Sequence, residues 1–503
     1  METSELSHIV EIKAGSRANG RRVATGVEGF DGFVEGGFPQ GSMILLAGTA
    51  GSGKTIFAAQ YLYHGMSRFN ESAVYMSLAE DRGTFMKNMM RMGMDFGKYE
   101  QKGKFKFLDM ITVRDKGVES IFERLLTEVC SLRAKRVVID SISALVQAFP
   151  ERIDARMMLH TVLGKITHLK GVTILLIAER PLGAERLGAG MEEFVADGVI
   201  TLNSITKGGW LTRTLQVLKL RGTRINSEEH GYNIDVHGIR TYPLPEIKSV
   251  QRIYSEKVPT GIGGLDKMLF NGVFKGSVTL VGGASGTGKT TFALHFVAEA
   301  KRNGRSLFVS FEEPEKQLIK HAKGFGWNVN KFMDKGLTKF SSYTPEPFNV
   351  EQQLDEILGF LEKYRPARLA IDSIDTLERV MLEQRYLRWI KSLTLYLKDK
   401  GITTLFTALY KSTLPLTGTA LSSSVDNIIA LKHVEIESTL RRAAVILKAR
   451  GSAHDNEIRE FEITTKGVVL KGKFAGMEQI LGGAPRKSMT KRSLGRCARN
   501  VPG

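Results

Sequence analysis

Short runs dense in apolar and β-branched residues alternate along this chain with longer stretches of helical pattern. "SMILLAG" (Ser42 to Gly48) leads into a helix after Lys54, and "AVYMSL" (Ala73 to Leu78) into "GTFMKNMMRMGM" (Gly83 to Met94). "RVVID" (Arg136 to Asp140) leads into "ARMMLHTVLGKITHL" (Ala155 to Leu169), and "VTILLIA" (Val172 to Ala178) follows. Strands alternating with helices of this length predict βαβ crossovers and an α/β fold, a mainly parallel sheet flanked by helices. In such a sheet ligands sit beyond the carboxyl ends of the strands, so the chemistry is expected there.

The pattern occurs twice. Val23 to Phe57 lies over Val258 to Phe292 without a gap, matching Thr25 and Gly26 with Thr260 and Gly261, Asp31 with Asp266, and Gly41 and Ser42 with Gly276 and Ser277. Further on, "VVID" (Val137 to Asp140) matches "LAID" (Leu369 to Asp372), and "KLRGT" (Lys219 to Thr223) matches "KARGS" (Lys448 to Ser452). The predicted organisation is a tail over 1–20, a first domain over 21–247, a second over 248–485 and a basic, disordered tail over 486–503. A chain of 503 residues suits two domains of middling size.

Each copy carries a glycine-rich loop between a strand and a helix. "GTAGSGKT" (Gly48 to Thr55) and "GASGTGKT" (Gly283 to Thr290) both fit glycine, four residues, then Gly-Lys-Ser/Thr. The glycines let backbone N–H groups turn inward around phosphate oxygens at a helix N-terminus. Thr49, Ala50, Gly51, Ser52 and Gly53 form the first cradle, and Ser285, Gly286, Thr287 and Gly288 the second. Lys54 or Lys289 reaches the terminal phosphates, and Thr55 or Thr290 offers a hydroxyl to Mg²⁺. Asp140 and Asp372 each end an apolar strand, where a carboxylate holds the same ion through water.

Charge and cysteine content narrow the partners. The net charge of +18 comes from 71 basic and 53 acidic side chains. Such an excess fits nucleic acid, nucleotide phosphates or a solvated surface. The only cysteines, Cys130 and Cys497, make neither a disulfide framework nor a metal-ligand spacing. The N-terminal "METSELSHIVEIKAG" has no apolar core of signal-peptide length, and apolar runs such as "TILLIA" are far too short for a bilayer. A cytoplasmic protein is expected.

These residues resemble the KaiC family of two-domain, RecA-like ATPases. The resemblance runs from about Arg21 to Pro485 and rests on both phosphate loops, the entry segments Gly26–Asp31 and Gly261–Asp266, and "KLRGT". It continues through "KARGSAHDNEIREF" (Lys448 to Phe461) and "MEQILGGAP" (Met477 to Pro485). It implies two tandem RecA-like domains, ATP and Mg²⁺, and a homohexameric double ring that hydrolyses ATP in its first tier and phosphorylates itself in its second. Lys219 with Arg221, and Lys448 with Arg450, match family residues that reach a neighbour's nucleotide. The phosphorylated hydroxyls fall on Ser422 and Ser423, with Ser424 a third candidate, and Glu312 beside Glu313 would take the proton. Glu312 joins Thr55, Asp140, Thr290 and Asp372 among the metal-site residues. The segment 477–487 resembles a docking peptide for a regulatory protein.

A DNA-binding RecA-like motor is the competing reading. Its DNA loops would be "PLGAERLGAGMEEF" (Pro181 to Phe194) and "KSTLPLTGTALSSS" (Lys411 to Ser424), neither strongly basic, so nucleic acid is not the expected partner. A ring that keeps ATP chiefly as structural glue is a third reading. One difference between the copies bears on activity: "SFEEP" (Ser310 to Pro314) has Glu312 and Glu313, whereas "SLAED" (Ser77 to Asp81) has Ala79 and Glu80. By resemblance the first of the paired glutamates is the base. The first domain is therefore expected to bind ATP but to hydrolyse it slowly, through Glu80.

Overall fold

The computed structural model describes residues 21–110, 118–147, 161–167, 171–180, 196–207, 210–243, 253–299, 304–346, 350–410, 420–474, 477–478 and 486–487. The expectations for the tail over 1–20, the helix start over 155–160, the segments 181–194 and 411–419, residues 479–485 and 488–503, and Cys497 lie outside them. Contacts divide the chain into Met1–Pro243 and Leu244–Gly503.

The first unit is built on a nine-stranded sheet. Its strands are β1 (Met43–Gly48), β2 (Ala73–Ser77), β3 (Phe105–Asp109), β4 (Arg136–Asp140), β5 (Thr173–Glu179), β6 (Gly198–Lys207), β7 (Trp210–Leu220), β8 (Glu229–Asp235) and β9 (Gly238–Thr241), in the order β9-β8-β7-β6-β1-β5-β4-β2-β3. From β6 to β3 all pairings are parallel, and β7 to β9 extend the sheet antiparallel. Central strands must be apolar on both faces, and β1, β2 and β4 are buried at every position. Alternation along β1 sends Ile44 and Leu46 to one layer, with Phe57 and Tyr61 of α1 (Lys54–Phe69). Met43, Leu45 and Ala47 enter the other, with Phe122 and Leu125 of the helix Val118–Leu132.

Helix α2 (Arg82–Arg91) is shorter than the sequence pattern over 83–94. Asp81 caps it by accepting from Thr84 N at 3.0 Å, and it ends before Gly93, whose φ of 75° is left-handed.

The second unit repeats this plan. Strands β10 (Val278–Gly283), β11 (Ser306–Ser310), β12 (Thr338–Ser342), β13 (Arg368–Asp372), β14 (Thr403–Leu409), β15 (Asn427–Ile436), β16 (Thr439–Ala449), β17 (Arg459–Thr464) and β18 (Gly467–Lys473) are ordered β18-β17-β16-β15-β10-β14-β13-β11-β12. That is the first order, strand for strand. Helices α3 (Lys289–Ala298), α4 (Glu315–Gly324) and the short α5 (Ala420–Ser424) matter most for the site. Arg486 and Lys487 pair antiparallel with Glu478 and Met477. Their backbone groups find partners in that short ladder.

Candidate functional site

In each unit the phosphate loop joins the central strand to the helix behind it. Gly53 ends the first loop at φ 87° and precedes α1, and Gly288 ends the second at φ 101° and precedes α3. A Cβ on either would meet Cδ1 of Ile234 or of Ile463 at 2.7 Å, so the turn needs glycine for both torsion and space. Within the loops Ser52 Oγ donates to Thr49 O at 2.7 Å and Thr287 Oγ1 to Ala284 O at 2.8 Å. The residues between, Ala50 and Gly51 or Ser285 and Gly286, directly precede a helix N-terminus, whose free N–H groups favour an anion.

Lys54 Nζ donates to Gly48 O at 3.0 Å and Thr49 O at 2.9 Å, and Lys289 Nζ to Ala284 O at 3.1 Å. Burial lowers the pKa of both lysines, opposed by Asp140 and Glu179 in the first unit and by Asp372, Glu312 and Asp375 in the second. Glu179 was missed from sequence. It ends β5 in register with Gly48, a place the second copy gives to Leu409, so comparing the copies gave it no support.

The two aspartates end strands beside the loop, as their spacing predicts. Asp140 Oδ2 accepts from Thr55 Oγ1 at 3.0 Å and from Tyr75 OH at 2.6 Å. Burial raises its pKa, against the pull of those hydroxyls and of Lys54. Asp372 Oδ1 accepts from Thr407 Oγ1, while its Oδ2 is buried with no hydrogen-bond partner of good geometry among the described residues. Burial pushes Asp372 up to about 6; the Thr407 and Thr290 hydroxyls oppose this, and Glu312 and Glu313 add to it. A buried carboxylate oxygen without a donor, next to a threonine hydroxyl, suits a hard divalent cation with its water.

The carboxylates of interest ride on matching turns. Ser77 Oγ accepts from Glu80 N at 2.9 Å and Ala79 N at 3.4 Å; Ser310 Oγ accepts from Glu313 N at 2.9 Å and Glu312 N at 3.3 Å. Glu80 is thus the counterpart of Glu313. Its Oε1 accepts from Asn88 Nδ2 of α2 at 3.0 Å, as Glu313 Oε2 lies 3.2 Å from His321 Nδ1 of α4. Burial raises the Glu80 pKa, with Asp140 and Asp81 adding to it. Glu312 is held differently: its Oε1 accepts from Ser373 Oγ, the residue after Asp372, at 2.8 Å. Ala79 stands in its place in the first unit. Ser373 was also missed from sequence, because it lies in a neighbouring strand's loop.

The predicted Lys–Arg pairs bond within their own units. Lys219 Nζ donates to Ala196 O at 2.9 Å, and Arg221 Nη1 pairs with Asp197 at 3.2 Å. Lys448 Nζ donates to Ser422 O at 2.6 Å and Val425 O at 2.8 Å, and Arg450 Nη2 to Ser423 O at 3.0 Å. The second pair therefore holds the backbone of α5, where Ser422 is buried and Ser423 exposed.

A family model described as "ATPase: KaiC" matches residues 23–246 and again residues 258–473. The chain belongs to the KaiC family. It is similar to the "Circadian clock oscillator protein KaiC" of Synechococcus elongatus, 34% identical with 95% of each chain covered. The protein of that name from Acaryochloris marina is 33% identical over 96% of this chain and 95% of its own. That from Parasynechococcus marenigrum is 32% identical over 96% of both. Each KaiC match includes one whole phosphate loop, its aspartate and its Lys–Arg pair, so the nucleotide is ATP. Among the described residues no helix is long and apolar enough to cross a membrane.

Proposed function

We propose that this KaiC-family protein is an ATPase and serine self-kinase that assembles as an ATP-dependent hexamer and serves circadian-type timing or a related signal. The observation that carries the reading is the Asp372, Thr290, Lys289, Glu312 cluster at the second loop, in a chain whose Lys448 and Arg450 fix a serine-bearing helix. The names of the relatives supply the timing role.

In the second domain Lys289 and the loop N–H groups neutralise charge on the terminal phosphates, and Glu312, oriented by Ser373, accepts the proton of an incoming serine hydroxyl. The Ser422 or Ser423 oxygen bonds to the γ-phosphorus as the bond to the β-phosphate oxygen breaks, leaving ADP. Mg²⁺, held by Thr290 and Asp372, would stabilise the phosphate charge. In a head-to-tail ring the acceptor serines of one subunit would serve the loop of a neighbour, as the resemblance to the family implies. Water replaces serine in the first domain, where Thr55 and Asp140 would hold the ion and Glu80 is the base. A regulatory protein docks on the segment 477–487.

Single-loop variants test the assignment through phosphate release and incorporation. Lys289→Ala is expected to abolish incorporation while leaving slow release by the first domain, and Lys54→Ala to remove that slow release. Incorporation surviving Lys289→Ala would refute the kinase site. Loss of assembly with no measurable release in the parent would instead favour ATP as glue.

A further inference from the structure

The two repeats anchor their cation-site aspartates with hydroxyls from different strands. In the first unit the donor is Tyr75, in the middle of β2, and its OH reaches Asp140 Oδ2 at 2.6 Å. In the second unit the residue at that place is Phe308, which has no hydroxyl, and Asp372 takes its bond from Thr407 of β14. The place of Thr407 is filled in the first unit by Ile177 of β5, in register with Asp140 and equally unable to donate. At these two places one site has Tyr and Ile and the other Phe and Thr, so each pair supplies one donor in addition to the loop threonine, Thr55 or Thr290.

The aromatic rings occupy the same niche. Tyr75 stacks on Phe107 with centroids 5.4 Å apart and planes 6° apart, and Phe308 stacks on Phe340 at 5.7 Å and 25°. Their strands pair in the same register, Tyr75 with Phe107 and Phe308 with Phe340. Phe85 packs on the Tyr75 ring from another side at 4.5 Å. A ring clamped in this way has one direction in which to point its hydroxyl, and that direction is the carboxylate.

We infer that Tyr75 is a positioning residue of the first-domain cation site: its hydroxyl fixes Asp140, replacing the donor that a threonine supplies in the second domain. This rests on the reading that Asp140 holds the cation of the first domain. A buried carboxylate that loses a donor is free to rotate and dearer to keep charged, so its hold on a cation weakens. Supplying the donor from the strand used by the other repeat should restore it.

The test is Mn²⁺ binding, read by electron paramagnetic resonance on the full chain with a non-hydrolysable ATP analogue. The background is Lys289→Ala, so that the second site does not contribute. Tyr75→Phe is expected to weaken Mn²⁺ affinity about tenfold, the loss of one hydrogen bond to a charged group. Ile177→Thr added to it should recover most of that affinity. Phe is the native residue of the second repeat at this place, so Tyr75→Phe keeps the packing, and a thermal melt checks this. A parent that binds Mn²⁺ with Tyr75→Phe unchanged, or no recovery from Ile177→Thr, would overturn the inference alone. A parent that binds no Mn²⁺ would overturn the Asp140 reading together with it.

Discussion

Ala79 puts a methyl group where the second domain has Glu312, while Ser141 still follows Asp140 as Ser373 follows Asp372. The first domain thus keeps the serine that holds Glu312 in the second, with alanine in the place of that glutamate. Ala79→Glu is expected to raise its phosphate release by about 10², the ordinary contribution of a positioned general base. Glu80→Gln should lower the slow native rate. Both are measured as phosphate release in a Lys289→Ala background; rates untouched by either would show that water activation lies elsewhere. Asp372 bears on stability. Its pKa is raised by burial to about 6, above an unfolded value of 3.8, so its contribution is fully present below pH 3.8 and is lost as pH rises through 6. Asp372→Asn, which stays neutral, should therefore stabilise the nucleotide-free second domain by about 3 kcal/mol at pH 8 and by almost nothing at pH 4. Denaturant melts at the two pH values check the difference, and an equal effect at both would contradict the burial argument.

Elements explain what could be read in the sequence. The phosphate loops were legible because their constraint is local: a helix N-terminus, a tight turn and a lysine lie within one octapeptide. The alternation of strand and helix was legible for the same reason. Tyr75, Thr407 and Ser373 were not, because each acts on a residue of another strand, and "AVYMSL" reads as a fully buried strand whatever the ring of its tyrosine carries. The apolar pattern runs one residue past Gly93, to Met94, but the backbone turns left-handed at Gly93 and α2 ends at Arg91. Buried arginines teach a similar lesson. Arg136 pairs with Glu71 at 2.6 Å, whereas the second copy has Gly304 at that place and Arg368 Nη2 has no hydrogen-bond partner among the described residues. At the loop–helix junction the account predicts that Gly288→Ala costs about 1–2 kcal/mol, from its φ of 101° alone, before the clash with Ile463 is counted. The second domain should then melt roughly 2–8 °C lower, and an unchanged midpoint would mean that the loop relaxes.

For the whole molecule, duplication gives two ATP sites on one plan with different catalytic equipment. One has Glu312 held by Ser373, and the other has Ala79 at that place. Lys448 and Arg450 hold the backbone of Ser422, Ser423 and Val425, and under the proposed function the side chains of those serines meet a neighbouring subunit's loop. That division predicts a protein which phosphorylates itself only when assembled. The most direct test is intact-mass measurement of the full chain after incubation with ATP and Mg²⁺, followed by mapping of the modified residues. The account predicts added phosphate on Ser422 and Ser423, absent from Glu312→Gln. No phosphate on Ser422, Ser423 or Ser424 would contradict it and leave an ATPase alone.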